Sequence, residues 1–179
     1  MEIKVLKINP DDIKDKLISL GANQVKEEHQ LNCIFDTRDD YLANHKNGYA
    51  RVRVTKDLLN HEQKVILTVK MNLSQEGNRT NVERNIEITD QENAIGLLED
   101  LGYVLKHKGE KHRISYRYDN ILFEIDQWDP KTYPEPYLEI EVTDQKDIQK
   151  AIDLLGLDPN NVTDLSIQQL RKMMESKND

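Results

Sequence analysis

The feature that most constrains this chain is a repeated pairing of charged residues two positions apart in strand-like segments. Side chains alternate across a β-strand, so residues i and i+2 share one face. Arg51 and Arg53 flank Val52, Thr68 and Lys70 flank Val69, and Lys111 and Arg113 flank His112, with Arg117 further along. Glu124 and Asp126 flank Ile125, and Glu139 and Glu141 flank Ile140. Glu2 and Lys4 flank Ile3, and Asn85 and Glu87 flank Ile86. Any one pair is explained by a solvated face with cross-strand ion pairs. The whole set, on one regular spacing, points instead to a shared charged interior. Basic pairs there suit phosphate oxygens. Acidic pairs suit a hard divalent cation such as Mg²⁺ or Mn²⁺, which favours carboxylate oxygen.

The rest of the pattern fits a sheet built mostly from sequence neighbours. Strands are expected over 2–9, 24–37, 48–55, 63–71, 79–89, 103–108, 111–118, 121–127 and 137–143. Asn9 and Pro10 open a helix whose apolar face is Ile13, Leu17, Ile18 and Leu20, and Gly21 closes it. A short helical or looped segment falls over 39–47. Another helix runs from about Asp90 to Gly102, and two more are expected near 145–155 and 164–175. Consecutive strands pair antiparallel, and some eight of them in one small domain need stacked sheets or a closed barrel. No Pro/Gly/Ser-rich linker interrupts the 179 residues, so a single domain over 1–179 is expected.

Composition narrows the function. Asp and Glu number 33 against 25 Lys and Arg, for a net charge of −8, which argues against broad binding to a nucleic-acid backbone. No apolar run is long enough to cross a membrane. A lone cysteine, Cys33, rules out an intrachain disulfide and suits a small core residue in a reducing cytoplasm. The five histidines show no zinc-like spacing with it. No glycine-rich phosphate loop is present, so phosphate binding rests on side chains. Trp128 and the segment from Tyr133 to Pro136 read as a rigid turn with an aromatic lid on the core.

In order and spacing, these segments resemble the CYTH domain, the triphosphate tunnel metalloenzymes. Its members include class IV adenylyl cyclases, thiamine triphosphatases and inorganic tripolyphosphatases. Phe35-Asp36-Thr37, Leu42 and Ala50-Arg51-Val52-Arg53 resemble the family's FDT…L…LRxR stretch. Leu67-Thr68-Val69-Lys70 resembles LTxK, Glu110-Lys111-His112-Arg113 resembles EKxR, and Phe123-Glu124-Ile125-Asp126 resembles its acidic strand. Leu138-Glu139-Ile140-Glu141 resembles LExE, and Asp164-Leu165-Ser166 with Leu170 resembles the SYxxLL region.

The resemblance implies an α+β fold: an eight-stranded antiparallel β-barrel, or tunnel, with flanking helices. It implies that Arg51, Arg53, Lys70, Lys111 and Arg113 hold a triphosphate and that Glu87 and Glu124 line the tunnel. It implies that Glu139, Glu141, Glu2 and Asp126 coordinate Mg²⁺ or Mn²⁺. Lys4, matching the lysine of an ExExK signature, is expected to contact the ligand or act in catalysis with Lys70 and Arg113. Arg171 or Lys172 is a loose match to a basic residue closing over the phosphates. There are two departures. Glu2 is the signature's second glutamate, and the first would fall before Met1: either the start is set late or the protein works with one fewer acidic group, which would weaken one metal site. Asn85 stands where many members carry glutamate, which bears on substrate choice.

The function expected is metal-dependent hydrolysis of inorganic triphosphate, thiamine triphosphate or a nucleoside triphosphate. One alternative is adenylyl cyclisation, which needs a purine-reading set not evident in the sequence. The other is a triphosphate- or polyphosphate-binding module with little turnover. The partner expected is thus a small triphosphate, on a monomer or homodimer.

Overall fold

In the computed structural model, which describes residues 1–75 and 78–175, nine strands form one sheet flanked by five helices. The strands are β1 (Glu2–Val5), β2 (Asn23–Thr37), β3 (Tyr49–Asp57), β4 (Gln63–Gln75), β5 (Asn78–Ile88), β6 (Tyr103–Tyr118), β7 (Ile121–Trp128), β8 (Tyr137–Val142) and β9 (Val162–Thr163). The helices are α1 (Pro10–Ser19), α2 (Tyr41–Lys46), α3 (Gln91–Asp100), α4 (Lys146–Leu155) and α5 (Ile167–Glu175). The hydrogen-bonded order is β5-β4-β3-β2-β6-β7-β8-β1-β9, and every pairing with a described register is antiparallel. The expected antiparallel α+β architecture is therefore present. Two details differ. The segments 103–108 and 111–118 are one continuous strand, because Gly109 does not break the extended backbone. The two-residue β9 pairs with β1 and carries too few residues to show a period.

The chain divides into two compact units. The first comprises residues 1–28 and 111–179, the second residues 29–110. In the first unit, β1, β7 and β8 turn Ile3, Val5, Phe123, Ile125, Leu138 and Ile140 onto Ile13 and Leu17 of α1 and Ala151, Ile152 and Leu155 of α4. The cap of α1 is as its sequence dictates. Asn9 Oδ1 accepts from the amides of Asp11 and Asp12, Pro10 occupies the first turn, and Gly21 follows the helix at φ 80°. A smaller cluster joins Tyr133, Tyr137 and Leu170, so the loop after Trp128 packs with α5.

In the second unit, Cys33, Phe35, Ala50, Val52, Val54 and Val65 pack on Ala94 and Leu98 of α3. The Phe35-Asp36-Thr37 segment has a structural task. The buried Asp36 carboxylate accepts from the amides of Thr37, Leu42 and Ala43, so it caps α2 in place of Asp40, whose own side chain makes no cap bond. Gly48 lets β3 approach β4: a Cβ there would meet the Lys70 carbonyl oxygen at 2.1 Å. In β1, β3, β7 and β8 the buried apolar residues face a core and the charged pairs share the opposite face.

Candidate functional site

In the first unit the polar face is a buried ion cluster. Registers place Lys4 opposite Glu139, Glu124 opposite Glu139, Arg113 opposite Asp126, and Ser115 opposite Glu124. Arg113 sits at the centre. Its Nε donates to Asp126 Oδ1 and its Nη2 to Asp126 Oδ2, each at 2.6 Å. It also bonds Glu124 through Nη1 and Glu139 through Nη2. Lys111 Nζ donates to Asp126 Oδ2 at 2.9 Å and lies 5.2 Å from the Trp128 ring centroid. Lys4 Nζ is 2.7 Å from Glu2 Oε1 and 3.1 Å from Glu139 Oε1. Ser115 Oγ donates to Glu124 Oε1 at 3.1 Å. Lys4, Lys111, Glu124, Asp126 and Glu139 are all buried, Asp126 completely.

Burial and partners act against each other on these groups. Desolvation raises the Glu124 carboxyl above its usual range, with Arg113 pulling it back and Asp126 and Glu139 adding to the rise. Burial disfavours the Lys4 ammonium, yet Glu139 and Glu2 outweigh it and its pKa is raised. Desolvation also works against the Arg113 charge, but Asp126 leads three carboxylates that hold it firmly protonated. Tyr137, which accepts from Trp128 Nε1 at 2.9 Å, is pushed well up by burial and by Asp126 and Glu139.

The polar face of the second unit is built differently. Register places Arg51 opposite Thr68, Thr68 opposite Asn85, and Lys70 opposite Glu83. Arg51 Nη2 donates to Thr68 Oγ1 at 3.4 Å, and Thr68 Oγ1 donates to Asn85 Oδ1 at 2.6 Å. The Arg51 ion pair with Glu83 is long, 3.9 Å, and its guanidinium lies 5.7 Å from the Tyr49 ring centroid. Its Nε is buried without a hydrogen-bond partner. Arg53 Nε donates to Asn32 Oδ1 at 2.7 Å. Lys70 is half-buried and makes no ion pair with a described residue. On this face Lys70 makes no ion pair with a described residue and that of Arg51 is long, whereas the first unit's cations and carboxylates are closely paired.

The CYTH domain model matches residues 1–164. This chain belongs to the CYTH family. The structure of the PH1012 protein from Pyrococcus horikoshii OT3 is 30% identical to it, with a TM-score of 0.72, over 94% of this chain and 98% of that one. A candidate adenylate cyclase from Vibrio parahaemolyticus shares the fold at 15% identity and a TM-score of 0.70, over 96% and 97% of the two chains. So does HpAC1 from Hippeastrum, at 20% identity and a TM-score of 0.62, over 88% and 89%. HpAC1 is described as a candidate adenylyl cyclase with a dominant triphosphatase activity. No curated protein matches this chain in sequence.

Against this CYTH fold, the residues singled out in the sequence fall into two groups. Lys4, Lys111, Arg113, Asp126 and Glu139 come together in the first unit, with Glu2 at their edge. Glu141 is exposed, directly opposite Glu2 in the register, and makes no ion pair with a described residue. Arg51, Arg53 and Lys70 share the second unit's polar face, and Glu87 lies on the same face, exposed. Arg171 and Lys172 lie on α5 without an ion pair to a described residue.

The carboxylates fit a hard divalent cation in donor type and in placement. Glu2 opposes Glu141 and Glu124 opposes Glu139, like-charge neighbours that a cation would relieve. Among the described residues, however, no three acidic, histidine or cysteine side chains converge on one point. Arg113, Lys111 and Lys4 hold the carboxylate oxygens that an ion would take.

Asn32, Ser115 and Tyr137 complete these networks and carry no charge, so a pattern of charged pairs does not single them out. Gln30 and Asn32 flank Leu31 on the same i, i+2 spacing. The signal was present in neutral residues.

Proposed function

We propose that this protein is a divalent-metal-dependent hydrolase of a small triphosphate: inorganic triphosphate, thiamine triphosphate or a nucleoside triphosphate. It works as one CYTH domain over residues 1–179, in the cytoplasm. The observation carrying this reading is the charge asymmetry of the polar faces. The second unit offers half-buried Arg51 and Lys70 on a face shared with Arg53, and the Arg51 pair with Glu83 is long. The first unit buries three carboxylates beside Arg113, Lys111 and Lys4. Half-buried cations gathered on one face favour a polyanionic ligand.

In this reading Arg51, Arg53, Lys70, Lys111 and Arg113 bind phosphate oxygens and stabilise charge developing on them. Arg51 and Arg53 present planar guanidinium forks, suited to two oxygens of one phosphoryl group. Glu139, Glu141, Glu2 and Asp126 would hold Mg²⁺ or Mn²⁺. The ion supplies charge neutralisation and orientation of the phosphoryl group when bound. Lys4 is held protonated beside Glu139 and serves as a fixed positive charge rather than a general base at neutral pH.

The test is a product assay on the purified protein with inorganic triphosphate, thiamine triphosphate and ATP, each with Mg²⁺, with Mn²⁺ and with chelator. Metal-dependent release of orthophosphate is expected. Cyclic AMP with pyrophosphate would replace the hydrolase with a cyclase. Ligand-induced thermal stabilisation without any product would replace it with a binding module.

A further inference from the structure

The second unit contains a buried amide that the charged-residue pattern does not account for. Asn32 is 1% exposed on β2. Its orientation is fixed by chemistry. Arg53 Nε has only a proton to offer, so the atom it meets at 2.7 Å must be Oδ1. That leaves Asn32 Nδ2 as a donor, fully buried and without a hydrogen-bond partner. Arg51 Nε on the neighbouring strand is in the same condition.

Several acceptors around them are already committed. Asn32 Oδ1 takes Arg53, Thr68 Oγ1 takes Arg51, and Asn85 Oδ1 takes the Thr68 hydroxyl. The Glu83 carboxylate stands off at 3.9 Å from Arg51 Nη2. Asn32 Nδ2 and Arg51 Nε are both donors. Native proteins rarely leave a buried donor without an acceptor, because its lost hydration is not recovered. A group that satisfies both must bring acceptor lone pairs beside two arginine side chains. An anionic phosphoryl group does so with several oxygens and a compensating charge, whereas an ammonium has no lone pair to give.

We propose that Asn32 is a ligand-binding residue, its Nδ2 donating to an anionic phosphoryl oxygen of a ligand also held by Arg51 and Arg53. This rests on the triphosphate reading and deepens it: a neutral amide joins the cations around the anion. Asn32 also positions Arg53, and the two roles separate under substitution. Asn32→Asp keeps an acceptor for Arg53 Nε but replaces the donor with a second negative oxygen. Loss of binding in that variant does not come from a displaced arginine, and Asn32→Ala, which removes the donor without adding charge, separates the missing donor from the new negative charge.

The experiment is calorimetric titration of the full-length protein with inorganic triphosphate, once with chelator and once with Mg²⁺. Asn32→Asp is expected to remain folded by circular dichroism and to bind about 10- to 100-fold more weakly in both conditions, the range for losing one hydrogen bond to a charged group. Binding within about twofold of the wild type, a free-energy change below RT, overturns the proposal. Asn32→Ala is expected to weaken binding as well, and wild-type affinity in Asn32→Ala overturns the proposal, because a loss in Asn32→Asp is then charge repulsion alone. A wild-type protein that binds no triphosphate in either condition overturns the proposed function, and this inference with it. Wild-type binding with an unaffected variant overturns the inference alone.

Discussion

Replacing Arg113 with methionine tests the ion cluster directly. Methionine keeps much of the side-chain volume and removes the charge. The guanidinium bonds three carboxylates, Glu124, Asp126 and Glu139, which are 7%, 0% and 8% exposed. Without it those three carboxylates share only Lys4 and Lys111. Removing one partner from a buried ion pair costs about 3–5 kcal/mol, because the remaining charge is left without compensation. For a chain of this length each kcal/mol lowers the melting temperature by about 2–4 °C, so a drop of roughly 6–20 °C is expected.

The same substitution has a pH signature. Glu124 is already raised by burial, and Arg113 is the main group pulling it down. In Arg113→Met its pKa rises further. A carboxyl raised in the folded state binds its proton there before the unfolded chain does. The variant therefore gains stability as pH falls from neutral toward the unfolded carboxyl range, about 4.3 for glutamate. Urea denaturation of variant and wild type at pH 7 and pH 5, with chelator present, measures both effects. The gap should be smaller at pH 5. An equal loss at both pH values would mean that packing, not charge, is responsible. A loss below about 1 kcal/mol would place the cluster in the regime of screened surface pairs and refute its burial.

Three further outcomes follow from the same geometry. Lys4 has its pKa raised above 10.5 by Glu139 and Glu2, so its contribution is fully present below pH 10.5 and is lost as pH rises through the higher folded value. Lys4→Met should cost about 1–3 kcal/mol at pH 7, and its denaturation curve should converge on the wild type's in strong alkali. Gly48→Ala places a Cβ 2.1 Å from the Lys70 carbonyl oxygen, so β3 and β4 must part. A loss of about 1–3 kcal/mol in thermal unfolding is expected, with weaker triphosphate binding through Lys70. Glu139→Ala combined with Glu141→Ala should abolish turnover and Mn²⁺-dependent thermal stabilisation together, and full activity in that double variant would refute their assignment as metal ligands.

Much of the arrangement was legible because strand alternation is a strict rule. Ile3, Val52, Ile125 and Ile140 alternate with charged neighbours, and each lies in a core while its neighbours occupy the polar face. Helix α1 was equally legible, since Asn9, Pro10 and Gly21 are local signals needing no tertiary partner. What stayed hidden depends on partners distant in sequence. That Asp36 caps α2 rather than binding a ligand requires knowing where the amides of Leu42 and Ala43 point. That Arg113 engages three carboxylates requires the registers of β6 with β7 and of β7 with β8. The continuity of β6 across Gly109 was missed because a glycine between basic and acidic residues reads as a break.

The ion cluster also bears on how the proposed ligands depend on each other. Glu139 is claimed twice, by Lys4 at 3.1 Å and by Arg113, and Asp126 is claimed by Arg113 and Lys111. Phosphate oxygens and these carboxylates compete for the same cations. Every cation that turns toward phosphate leaves a carboxylate oxygen unpaired, and an unpaired buried carboxylate is the group that a divalent ion relieves most. A divalent ion on Glu139 in turn frees Lys4 and Arg113 for phosphate. On this argument polyanion and metal each raise the other's affinity by the same factor, as linkage requires. The side chains that neutralise the carboxylates in the free protein are then the ones through which the two ligands are coupled.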